Sequence, residues 1–126
     1  MKAAYKKQIM NSVNYLKDLM FLKDWTIVWD DDLGASHCSA MMSSIRGTKS
    51  GQIWFNDTYL GFKPKLQREI AVHELIHFHL EGAANYVMEH APTDEYEAFI
   101  YLQEFGVDAL AEALAPHLPL PKFQFT

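Results

Sequence analysis

The sequence predicts an α+β fold: an N-terminal helix, a small three-stranded twisted sheet and two C-terminal helices. Three observations lead there. Residues 3–22 carry apolar side chains at helical spacing. Two strand-like segments, 25–29 and 52–56, follow, and a glycine-bounded loop at 47–51 joins the second to residues 36–46 as a hairpin. Beyond Pro64 the spacing is helical again over 65–80 and once more over 93–115. A chain of 126 residues is the size of one domain, expected to span 1–126. Its 49% apolar and 21% charged residues exclude a disordered or low-complexity chain.

Tyr5, Ile9, Val13, Leu16 and Met20 recur at steps of four, four, three and four, one face of a helix, with Lys6, Lys7 and Lys17 expected on its solvated side. Trp25-Thr26-Ile27-Val28-Trp29 reads as a strand. Asp30-Asp31-Asp32-Leu33-Gly34 closes it as a solvated turn, because the run lacks the alternation and final Glu of a calcium loop. Residues 36–46 and 52–56 form the arms of a hairpin around Gly47-Thr48-Lys49-Ser50-Gly51. Cys38, on the first arm, is expected to be a buried, inert thiol.

Pro64 suits the first turn of a helix over 65–80, with Leu66, Ile70, His73, His77 and Leu80 along one face. Gly82 is placed to end it in a left-handed cap, leaving 83–92 as a turn region. Thr93, as N-cap, opens a last helix over 93–115, with Asp94, Glu95 and Glu97 in the first turns, where the dipole favours them. Pro116, Pro119 and Pro121 stop that helix. The tail 119–126 carries two phenylalanines, so it is expected to pack in extended form on the sheet or over the cleft.

Charge and composition narrow the function classes. Eleven basic against sixteen acidic residues leave −5, with no basic stripe, so nucleic acid is not an expected partner. No run of about 18 apolar residues is present, so no membrane span is expected. The start of the chain has no apolar segment of the secretory type, and Cys38 is the only cysteine. Both fit a reducing cytoplasm.

His73-Glu74-Leu75-Ile76-His77 matches H-E-x-x-H. Residues four apart lie on one helix face, so both imidazoles can reach one metal ion. Glu74 sits beside the first ligand, where a carboxylate can take a proton from an activated water and hand it to a leaving amine. The bland alternative is a helix with two structural histidines and a surface glutamate. Against it stands the setting, Ile70, Ala71, Val72, Leu75, Ile76 and Phe78, in which unpartnered polar groups cost free energy. A hydrolytic zinc site needs a third protein ligand. His90, Asp94, Glu95, Glu97 and Glu104 are candidates. Glu104 is preferred because Asp108 follows one helical turn later and can hydrogen-bond a ligand histidine. His79, two residues past His77, points elsewhere on the helix.

Gln103-Glu104-Phe105-Gly106-Val107-Asp108 resembles the second zinc motif of the gluzincins. The run from Glu104 to Pro116 is similar to the segment after H-E-x-x-H in the ImmA/IrrE-type phage and bacterial metallopeptidases. The element order also resembles the minigluzincins. The resemblance implies a zincin-like fold, Zn2+ held by His73, His77 and Glu104, Glu74 as general base, and a peptide or protein substrate. It further implies a phage or prophage protein acting in the cytoplasm of a bacterial host. Tyr96 and Tyr101 precede Glu104 within two helical turns and are candidate oxyanion donors. The hairpin offers an edge to which an extended substrate can add as a strand. The expected function is therefore a zinc-dependent peptide hydrolase. The rivals are a catalytically silent zinc-binding interaction module on the same fold and a hydrolase of a non-peptide bond.

Overall fold

The computed structural model describes residues 1–35 and 37–126. It contains three helices, α1 (Ala3–Leu19), α2 (Pro64–His90) and α3 (Thr93–Leu114). Three strands, β1 (Thr26–Trp29), β2 (Ala40–Ser44) and β3 (Ser50–Phe55), lie between α1 and α2. Among the described residues no helix is long and apolar enough to cross a membrane.

Helix α1 buries Ile9, Val13 and Leu16, the face its spacing predicts. It stops at Leu19 rather than at residue 22. Phe21 takes a left-handed φ of 62°, and the Leu22 N–H donates back to the Lys17 carbonyl, which closes the helix end. Lys17 is not on the solvated side. It is 7% exposed, and its ammonium donates to the carbonyls of Leu22, Lys23 and Trp25 in the turn that follows the helix.

The sheet is mixed, in the order β1-β3-β2. Strand β1 runs parallel to β3, and β2 pairs antiparallel with β3 as a hairpin, with Met42 opposite Ile53. The first arm is therefore much shorter than 36–46. Along β3, Gly51, Ile53 and Phe55 alternate inward. Gly51 lies inside this strand rather than in the loop. A Cβ there would meet the Phe78 ring and the Ser43 carbonyl, so the missing side chain lets α2 lie close against the sheet. In the three-aspartate run, Asp30 accepts from the Asp32 N–H and caps a short 3-10 turn. Asp31 accepts from Lys6 Nζ and Trp29 Nε1, each at 2.8 Å, and these bonds, Lys6 first, hold its carboxyl below the usual range.

Helix α2 starts at Pro64 as expected and turns Ala71, Val72, Leu75, Ile76 and Phe78 into the core. Leu66 is exposed, so the face named from the sequence is the cleft face and not the core face. Buried Gln67 is satisfied by Tyr59: its side-chain amide donates to the Tyr59 carbonyl, and the Tyr59 hydroxyl donates to the Gln67 carbonyl, both at 3.0 Å. Gly82 does not end the helix. Helix formers on both sides carry α2 on to His90, and the stop comes from Pro92, which forces Ala91 into an extended conformation. The supposed turn region is thus mostly helix. Thr93 is the first helical residue of α3 and not its cap; Pro92 holds the cap position, without a side-chain bond. From α3, only Val107 and Ala111 are fully buried.

The tail packs, but on neither expected surface. Phe125 sets its ring edge-on to Tyr5 of α1 at 5.0 Å, and Phe123 packs against Tyr59 and Phe125. Gln8 ties its side-chain amide to both polar backbone groups of Gln124. Arg68 donates to the Leu118 carbonyl at 2.8 Å. The tail is a strut along α1, remote from His73 and His77. Deleting residues 119–126 is expected to cost about 2–3 kcal/mol, the scale of two partly buried aromatic rings. Metal uptake should stay unchanged. Urea unfolding checks the first expectation and metal titration the second.

Candidate metal centre

One helical turn of α2 sets the rings of His73 and His77 5.0 Å apart, and both present Nε2 to the same point. Glu104 meets them there from α3. Its Oε2 lies 3.3 Å from His73 Nε2 and its Oε1 lies 2.7 Å from His77 Nε2. One ligand atom from each of the three residues lies within 4.8 Å of the other two, so the group can hold a metal ion. Asp108, one turn beyond Glu104, accepts from His73 Nδ1 at 2.9 Å. With that nitrogen donating, the Nε2 lone pair of His73 is turned toward the cluster.

The donor chemistry suits a catalytic type of site. Two imidazole nitrogens and one carboxylate make three protein ligands, and an outer carboxylate orients one of the rings. Burial is the largest influence on His77 and lowers its pKa, which favours the neutral, ligating form despite the attraction of Glu104. Glu74 is 9% exposed. Burial first, and the Glu104 charge second, push its carboxyl up to about 8. A cation held beside it would act in the opposite sense and favour the carboxylate.

The other candidates fall elsewhere. Among the described residues, His90, Asp94, Glu95 and Glu97 are not in the metal-holding group. His90 stacks near Tyr86 at the far end of α2, and Asp94 and Glu95 occupy the first turn of α3. His79 turns its Nε2 to the Met20 carbonyl at 2.6 Å. Tyr96 lines the cavity that adjoins His77 and Glu104, whereas Tyr101 is 65% exposed and stacks edge-on against Phe105.

Comparison with known proteins finds no matching family model, no matching curated protein and no matching solved structure.

Several residues at the centre were missed from sequence. Cys38, expected to be a buried, inert thiol, is only half-buried and lines the same cavity as His73, Glu74 and His77, as does His37. Its thiol is held above the usual range by burial and then by the Glu74 charge, so it remains a poor nucleophile. Nothing in the spacing of residues 37–42 reports that this segment faces α2. Glu69 and Glu81 also border the cleft. These two did leave a signal, since Glu69, His73, His77 and Glu81 follow one another at steps of four.

The Glu74 shift has a stability consequence in metal-free protein. Below pH 4.5 the carboxyl is protonated in both folded and unfolded chains. Between 4.5 and about 8 the unfolded chain ionises first, so folding loses stability as pH rises. Glu74→Gln removes that loss. Its unfolding free energy in chelator should therefore gain on the wild type across this window and hold the gain above it. Denaturant melts at several pH values check this, and a gain independent of pH contradicts it.

Proposed function

We propose that the protein is a zinc-dependent peptide hydrolase, with His73, His77 and Glu104 holding the ion. The observation that carries the reading is the meeting of both Nε2 atoms with the Glu104 carboxylate, while Asp108 orients His73 from behind. Zinc suits two imidazoles and a carboxylate, and when bound it supplies an acidified water and a Lewis acid for a carbonyl oxygen. The resemblance to gluzincins through His73–His77 and Glu104–Asp108 points the same way, as does its implication of a zincin-like fold.

Within this reading each side chain has a task. Glu74, buried beside the ligands, takes a proton from the attacking water and passes it to the leaving nitrogen. Its sheltered setting keeps the carboxyl basic enough for both transfers. Tyr96, in the adjoining cavity, is the better placed of the two tyrosines to donate to the oxyanion. Strand β2 is an edge of the sheet, and its residues line the cleft opposite α2. An extended peptide can pair with that edge and lay its scissile bond across the metal site.

The test combines elemental analysis with digestion of a peptide library. About one zinc per chain is expected, as for a three-ligand site. Glu104→Ala should lose most of it and Glu97→Ala should keep it. Asp108→Ala should weaken affinity or activity by about 10–100-fold, the usual effect of losing an orienting carboxylate. Glu74→Gln should keep its zinc and lose cleavage. A chain that holds zinc yet cleaves nothing is the silent interaction module instead, and zinc retained by the His73→Ala/His77→Ala double variant overturns the site.

A further inference from the structure

Three cavities lie in a row between β2 and α2. The first joins Ser39 and Ala40 to Glu69 and His73, and the second joins Met41 and Met42 to His73, Glu74 and His77. The third, of about 290 Å³, joins Ser43 and Ser44 to His77 and Glu81. The numbers rise together along both elements, so the cavities are successive stretches of one cleft with the His73–His77–Glu104 group at its centre. Carboxylates line every stretch: Glu69 and Asp108 at one end, Glu74 and Glu104 in the middle, Glu81 at the other. Among the described residues no lysine or arginine lines any of the three.

The third cavity has a distinct character. Glu81 lies one turn of α2 beyond His77 and so follows the metal-binding face. Around it stand neutral hydrogen-bonding groups from three elements: Ser43 and Ser44 of β2, Asn85 of α2, and Tyr96 and Gln103 of α3. Glu104 also borders this cavity but is turned to the two histidines, so Glu81 is the carboxylate that stands among the neutral polar groups, and a recess of that kind beside the metal site matches the side chain of lysine or arginine. The head group would reach Glu81, and its remaining N–H donors would find hydroxyl and amide oxygens. An acidic side chain would enter against Glu81, with no lysine or arginine in this cavity to meet it. An aliphatic one would leave the polar lining unpaired.

The geometry points to a cleft that selects positively charged peptides, with Glu81 as the residue that recognises a lysine or arginine next to the bond at the metal site. The inference rests on the peptidase reading for what happens to the peptide, but the recognition itself is a property of the cavity. Glu81 acts on binding and choice of site and not on the chemistry.

The test separates the two. Short alanine-based peptides carrying lysine, leucine or glutamate at one position, walked along the frame, are titrated by fluorescence anisotropy against zinc-treated full-length protein carrying Glu74→Gln. The lysine series should bind about tenfold or more tighter than the other two at its best position, the scale of one charge-assisted hydrogen bond. The advantage should shrink as salt rises. Adding Glu81→Gln should remove the advantage, and Glu81→Lys should turn it toward the glutamate series. Equal binding of the three series, or a lysine advantage that survives Glu81→Gln, overturns the inference. The wild-type protein with the peptide library provides the independent arm. Cleavage beside basic residues supports the inference, and cleavage without that preference overturns it. A protein that cleaves nothing yet binds lysine peptides through Glu81 overturns the peptidase reading alone.

Discussion

The site depends on one carboxylate reaching two imidazoles across the α2–α3 hairpin. His77 meets Glu104 and His73 meets Asp108, and both pairs are centred on the same point in the chain, between His90 and Ala91. That is the signature of two antiparallel helices folded about a fixed turn. Pro92 makes the turn short, and Val107 and Ala111 are the contacts by which α3 seats on the core. One residue inserted into either arm would rotate everything beyond it by about 100° and carry Glu104 off the shared point. The sheet has a supporting part: Gly51 lets Phe78 down onto β3, which sets the height of α2 above the β2 edge.

Much of this was legible in the sequence because it rests on local periodicity. Ile9, Val13 and Leu16 declare the buried face of α1, and Ile53 and Phe55 alternate as a strand facing a core should. That Asp108 would stand behind a ligand histidine followed from two i, i+4 spacings, whereas the choice of His73 came from the structure. The failures are equally local in origin. Gly82 has the chemistry of a helix cap, but the helix formers on both sides outweigh that preference and carry α2 on to His90. Lys17 looks solvated because sequence cannot report that the turn at Phe21 brings three carbonyls to its ammonium. Cys38 could not be placed because residues 37–42 reach the cleft through tertiary packing, which leaves no spacing to read.

Glu74 carries a stability cost that the proposed hydrolase would put to use. A carboxyl with this burial, set beside Glu104, opposes folding once it must ionise, and an apolar residue would serve the core better. The Lys17 ammonium shows the opposite solution, since it is buried with backbone carbonyls around it.

Helix α2 has a further property that follows from where its buried residues stop. Past Phe78 none of its residues is fully buried, and Gly82 then loosens the backbone. The last two to three turns, out to His90, are held by the hairpin turn and by surface pairs such as Arg46 with Glu89. This distal arm can therefore open as a unit of its own, at far lower free energy than the core, while His73 and His77 keep their places. Amide hydrogens from Ala83 onward would exchange with solvent long before those around Leu75. A ligand bridging β2 to the arm would slow that exchange without any change in the average shape.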